Sequence, residues 1–262
     1  MKKLWILGLL ALQACNVFEV HPYSGRITGP ENINNRNIQK IEENTKVKDT
    51  LTYIFLSDSQ RWYDELESAV KHINTFEKVD FVIHGGDLTD FGLTKEFLWQ
   101  RDILEGLDVP YVVLIGNHDC LANGEEVFEQ VFGPTNFSFM AGDTKFLCLN
   151  TNALENDYNR PIPDFEFIRS ERDKGNYKKM VVSMHAKPTS EQFNNNVSDI
   201  FQSEMNKFSG FLYANYGHEH QYLVNDLFND GKIYYGVPNV GKRQYLKFTI
   251  TPTDYTHELV TF

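Results

Sequence analysis

The sequence is short of basic residues, of cysteine and of long apolar runs, and each shortage removes a class of protein. Lys and Arg total 25 against 36 Asp and Glu, a formal net charge of −11. Nucleic-acid affinity comes largely from Lys and Arg on phosphates, so nucleic acid is disfavoured as a partner and a nuclease as a function. Three cysteines, Cys15, Cys120 and Cys148, leave little room for disulfides. Export would permit a Cys120–Cys148 bridge, but two unpaired buried thiols is the plainer reading. The apolar stretch Leu4 to Leu12 is far shorter than a membrane span. No repeat or low-complexity segment is visible, and 262 residues suffice for one large α/β domain.

The N-terminus has the pattern of an export signal: Lys2-Lys3 precede the short apolar stretch. It closes with Leu12-Gln13-Ala14-Cys15, which resembles the lipobox of bacterial lipoproteins. That resemblance implies a signal peptide over 1–14, acylation of Cys15 and a lipid anchor in a membrane. Residues 15–49, rich in Asn, Glu, Lys and Gly with no apolar period, are expected to be a lipid-anchored tether. The folded domain is then expected over 50–262. Asn16, not Asp, follows the cysteine, which favours the outer membrane within a cell-envelope location.

From Thr50 onward strands and helices alternate. Trp62, Leu66, Ala69, Val70 and Ile73 recur at helical spacing, as do Phe97, Leu98, Ile103 and Leu104. Phe137 to Met140 and Lys145 to Asn150 flank Gly142-Asp143 as a hairpin, and the tail beyond Gln221 reads as strand throughout. Alternating βα units followed by a β-rich half fit two packed sheets with helices outside, an α/β fold.

Five of the apolar runs end in ligand-rich turns: Ser57-Asp58-Ser59-Gln60, Gly86-Asp87-Leu88-Thr89-Asp90, Gly116-Asn117-His118-Asp119, Met184-His185 and Gly217-His218-Glu219-His220. Ligands at the carboxyl ends of several strands converge at one edge of an open α/β sheet. Mixed carboxylate, amide and imidazole donors suit Mn, Fe or Zn better than Mg or Ca. In order and spelling these turns resemble the calcineurin-like metallophosphoesterase superfamily, from about Thr52 to His220. The resemblance implies a four-layered α/β/β/α sandwich of two mixed sheets flanked by helices. One position departs: Gln60 stands where that family usually has His.

The resemblance also implies roles. Asp58, Gln60, Asp87 and His220 would hold one divalent ion, and Asp87, Asn117, His185 and His218 a second, with Asp87 bridging. Two such ions about 3.5–4 Å apart supply a nucleophile at neutral pH and neutralise phosphoryl charge. His218 and His220, two residues apart, would share a face on a straight strand and so feed adjacent ions. His118, oriented by the carboxylate of Asp90 or alternatively of Asp119, would protonate the leaving group, and Asn117 and His118 would contact substrate. Lys187 is expected to be a solvated loop lysine, Asn152 a candidate pocket residue, and His21, His72, His84 and His257 ordinary polar residues. The expected activity is hydrolysis of a small phosphoester, as a phosphomonoesterase or a small-molecule or cyclic-nucleotide-type phosphodiesterase. The alternatives are an envelope lipid or pyrophosphate hydrolase, or a weakly catalytic metal- or phosphate-binding lipoprotein.

Overall fold

The computed structural model describes residues 25–262. The expected signal peptide and the acylation site Cys15 lie outside the described residues. After helix α1 (Ile33–Thr45), strands β1 (Leu51–Leu56), β2 (Phe81–His84) and β3 (Tyr111–Val113) pair in parallel. Helices α2 (Tyr63–Ile73) and α3 (Thr94–Leu104) make the crossovers, and α4 (Gly124–Val131) follows β3. The C-terminal strands β10 (Gln244–Ile250) and β11 (Tyr255–Thr261) add antiparallel to β1, giving the order β11-β10-β1-β2-β3. The second sheet starts with the hairpin β4 (Phe137–Ala141) and β5 (Thr144–Leu149). Beyond it run β6 (Lys179–Met184), β7 (Phe211–Tyr216) and β9 (Ile233–Gly236), parallel to β5, with β8 (Leu223–Asp226) antiparallel at the far edge. Helices α5 (Phe165–Asp173) and α6 (Ser198–Met205) cover it.

The side-chain alternation of strands builds four layers. In β1, Tyr53 and Phe55 enter the core between the sheets, while Ile54 and Leu56 enter the core under α2 and α3. In β6, Val181 faces the other sheet and Met180, Val182 and Met184 face α5 and α6. The layer between sheets is aromatic: Tyr53 stacks on Phe81 and Phe248, each at 5.2 Å between centroids. Its buried hydroxyls pair across the sheets, Tyr53 with Tyr213 at 2.9 Å, and Asn215 donates to Tyr53 at 2.8 Å. Among the described residues no helix is long and apolar enough to cross a membrane.

One expectation is corrected. The stretch preceding β1 is not a loose tether throughout, because residues 33–45 form α1 and dock on the sandwich edge. Ile33 enters the outer core and Ile41 the inter-sheet core, but the docking is chiefly polar. The Asn34 amide donates to the Val113 carbonyl and accepts from the Val113 N–H, both at 2.8 Å; the Asn37 amide donates to the Tyr111 carbonyl at 2.8 Å. Glu42 and Thr45 accept from the N–H groups of Met140 and Gly142. Thus α1 satisfies the edge of β3 and touches that of β4, edges that would otherwise invite pairing with other chains. Asn34→Ala would strand a buried donor and acceptor on the strand that leads to Asn117. A stability loss of about 3 kcal/mol is expected, read as a lowered denaturation midpoint at unchanged slope.

Candidate metal centre

The five ligand-rich turns meet at the carboxyl ends of β1, β2, β3, β6 and β7. Their convergence demands unusual backbone. Asp58, Asp87, His218 and His220 all have left-handed φ, between 54° and 62°. Such a conformation costs about 1–3 kcal/mol at a non-glycine residue and concentrates at functional sites. Glycine makes room for two of them. A Cβ on Gly116 would lie 2.1 Å from the Asp87 nitrogen, and one on Gly217 would lie 2.8 Å from Asp58 Oδ2.

Two clusters of donor atoms result, Asp58–Asp87–His220 and Asp87–His185–His218, with the atoms of each within 4.8 Å of one another. Asp87 belongs to both. His220 Nε2 lies 3.2 Å from Asp58 Oδ1, and His185 Nε2 lies 3.3 Å from Asp87 Oδ2. Asn117 Oδ1 completes the second cluster, 3.0 Å from His185 Nε2 and 3.1 Å from His218 Nδ1. Gln60 borders the first: its Nε2 is 3.5 Å from Asp87 Oδ2, and its Oε1 is buried without a hydrogen-bond partner. Carboxylate, amide and imidazole atoms crowded together, one orphaned, fit divalent cations.

The electrostatics agree. Burial opposes protonation of His185, yet Asp87 and Asp58 outweigh it and push its pKa up to about 10. Burial likewise opposes ionisation of Asp87, but His185 and His118 hold its carboxyl below the ordinary value. The hydrogen bond to Asp58 raises His220. Both clusters therefore draw positive charge.

Buried polar residues brace the turns. Asp119 accepts from the N–H groups of Leu88, Thr89 and Gly116. Burial and the charge of Asp87 push its carboxyl up to about 7, partly offset by those donors. It is a brace rather than a partner for His118. Burial lowers His84 to about 4, and its ring meets the Ser59 hydroxyl at 2.8 Å, supporting the turn after β1. Asn152 donates to the Ile115 carbonyl at 3.0 Å, again a support. His72 and His257 bond to tyrosine hydroxyls, while His21 lies outside the described residues.

Three expectations differ from the geometry. His218 and His220 do not sit on a straight strand: β7 ends at Tyr216, and the left-handed turn sends the two rings to different clusters. His118 Nδ1 bonds the main-chain oxygen of Asp90 at 3.0 Å, because the Asp90 carboxylate is held by the Arg61 guanidinium, Nε at 3.1 Å. Lys187 is buried rather than solvated, paired with Glu219 at 3.1 Å. Arg61 and Glu191 also touch site residues, Asp90 and His218; of the two, the sequence marks only Arg61, by its place beside Gln60. Cys120 and Cys148 are both free.

A four-layered sandwich with two donor clusters sharing one carboxylate defines a class of dinuclear metallohydrolase folds. Residues 51–222 match the model of the calcineurin-like phosphoesterase family, and the chain belongs to that family, hydrolases acting on phosphoester bonds. A stretch of 66 residues is 39% identical to the "Probable glycerophosphodiester phosphodiesterase GpdQ" of Arcobacter nitrofigilis, covering 25% of this chain and 24% of that protein. The match thus spans about a quarter of the length of that relative. Among solved structures, GAP50, the anchor in the inner membrane complex of Plasmodium, superposes with TM-score 0.62 at 9% identity, over 82% of this chain and 85% of that one. A dimetal phosphatase from Danio rerio superposes with TM-score 0.58 at 11% identity, over 79% and 98%. An anchor and a phosphatase share this fold, so activity has to be argued from the site.

Gln60 borders the first cluster with a buried amide oxygen that has no hydrogen-bond partner. If its amide oxygen serves as a ligand, metal titrated into stripped protein should bind in two unequal steps. Gln60→His should tighten the weaker step by about tenfold, ~1.4 kcal/mol, since imidazole is the better ligand for transition ions. Two equal steps, unmoved by the substitution, would remove Gln60 from the ligand set.

Proposed function

We propose that the chain is a dinuclear-metal-dependent phosphoester hydrolase for small phosphoesters, working at the cell envelope. The observation that carries this reading is the place of Asp87 in both donor clusters. Asp58, Gln60, Asp87 and His220 would hold one ion, and Asp87, Asn117, His185 and His218 the other. When bound, the pair supplies a nucleophile at neutral pH and neutralises charge on the phosphoryl oxygens.

The remaining work falls to the chain's own residues. The Asp87 carboxylate accepts from the His118 N–H at 2.9 Å, which ties the proton donor to the shared ligand. His118 Nδ1–H donates to the Asp90 carbonyl, leaving Nε2 to pass its proton to the departing oxygen. Asn117, the residue before it, would offer its amide beside the same reacting group. The name of the Arcobacter relative supports a phosphodiester over a monoester. A screen of mono- and diesters against the domain with Mn, Zn, Fe and Mg tests the reading. Hydrolysis lost on chelation and restored by metal is expected. Tight metal binding with no ester turned over would favour the binding-lipoprotein alternative.

The envelope location rests on Lys2-Lys3, the apolar stretch and the lipobox-like end at Cys15. Cys15→Ala should give an unprocessed or soluble protein. An intact mass equal to the unmodified chain in the native protein would refute acylation.

A further inference from the structure

We propose that Glu191 is the positioning residue that decides which nitrogen of His218 faces the metal centre, an inference that rests on the two-metal reading above. A neutral imidazole has one N–H and one lone pair, so whatever occupies one nitrogen fixes the other. His185 Nδ1 lies 2.8 Å from the Gly85 carbonyl, which can only accept. In the neutral ring, the form that binds metal, the hydrogen is therefore on Nδ1 and the Nε2 lone pair faces Asp87 and Asn117. In His218 the order is reversed. Its Nε2 lies 2.9 Å from Glu191 Oε1, again an acceptor, and its Nδ1 lies 3.1 Å from Asn117 Oδ1. The two rings, 5.3 Å apart between centroids, thus turn opposite nitrogens toward one amide oxygen. Two lone pairs and a carbonyl oxygen repel unless a proton or a metal cation lies among them.

The two anchors differ in kind. That of His185 is main chain and buried. That of His218 is a side chain 71% exposed, on the loop between β6 and α6. The loop is held in place: Tyr158 donates to the Glu191 carbonyl at 3.1 Å, Leu154 N–H to the Gln192 carbonyl at 3.2 Å, and Thr189 N–H to Asn195 Oδ1 at 2.8 Å. A carboxylate on the far nitrogen fixes the tautomer and strengthens the ring as a donor. Without it, His218 is free to put hydrogen on Nδ1 and present no lone pair to Asn117's side.

The test compares wild type, Glu191→Ala and Glu191→Gln, each stripped and titrated with Zn against a chromophoric chelator. Glu191→Ala should weaken one binding step by roughly 10–100-fold and leave the other unchanged. Glu191→Gln, whose Oε1 still accepts from Nε2–H, should recover most of the loss. Nitrogen-15 spectra of the wild-type histidines should show His218 protonated on Nε2, with both tautomers in Glu191→Ala. Equal affinities in all three proteins, or hydrogen on Nδ1 in the wild type, would overturn the assignment. A lowered denaturation midpoint with unchanged metal affinity would mean a merely structural residue and overturn it equally. If the alanine variant does not fold, the glutamine variant and the wild-type spectra decide. A wild type that takes up no metal removes the two-metal reading together with this inference. Two metals bound identically by all variants removes this inference alone.

Discussion

Asp87→Asn should cost both metal ions and nearly all hydrolysis, a fall on the order of 10³-fold or more, equal to about 4 kcal/mol of transition-state stabilisation. The substitution keeps shape. An asparagine oxygen can still accept from the His118 N–H, as Oδ1 does at 2.9 Å. Its amide nitrogen, however, would face His185 Nε2 and Gln60 where Oδ2 now does. The only carboxylate common to both clusters is then gone, and a donor N–H points where cations belong. Metal analysis and turnover on the same sample check this. Two ions retained with near-full activity would sink the dinuclear assignment. Metal-free protein offers a second readout. His185 is raised to about 10 chiefly by Asp87, against burial, whereas an unfolded histidine titrates near ~6.5. A raised folded pKa contributes stability that is present below the unfolded value and lost as pH climbs through the folded one. Between about pH 6.5 and 10 the stripped wild type should therefore lose stability, and the stripped variant should lose less.

Most of this centre was legible because each ligand-rich turn follows an apolar run that could only be a buried strand. Strand ends fix where Asp58, Asp87, Asn117 and His185 lie, so order along the chain translated directly into proximity. What failed were inferences needing a partner remote in sequence. Lys187 looked solvated because Glu219, its partner, is on another turn. Glu191 bonds His218 from 27 residues away, on a loop without regular structure. The His218–His220 spacing was read with the two-residue period of a strand, and left-handed backbone at both positions cancels that period. Helix α1 was missed for a different reason. Its buried contacts with β3 are made by Asn34 and Asn37, and amides in place of apolar residues erase the periodicity that marks a helix.

His118→Asn should keep both metals and lose turnover by about 10²–10⁴-fold, the usual contribution of a positioned proton donor. The ring is oriented by its Nδ1 contact with the Asp90 main-chain oxygen, 3.0 Å, and its own N–H is fixed on Asp87. Asparagine retains the backbone tie, so the Asp87 carboxylate and both donor clusters should stay in place. It lacks a proton to give at the position of Nε2. Esters whose leaving groups are already stable as anions need no such proton, and those with alkoxide leaving groups do. The loss should therefore be smallest for nitrophenyl esters and largest for alkyl esters, a dependence read from kcat across a leaving-group series at constant metal content. Because Asp90 acts through its carbonyl while its carboxylate holds Arg61, Asp90→Asn should reproduce little of this pattern. Equal losses for good and poor leaving groups in His118→Asn would leave the ring as a substrate contact and move the acid elsewhere.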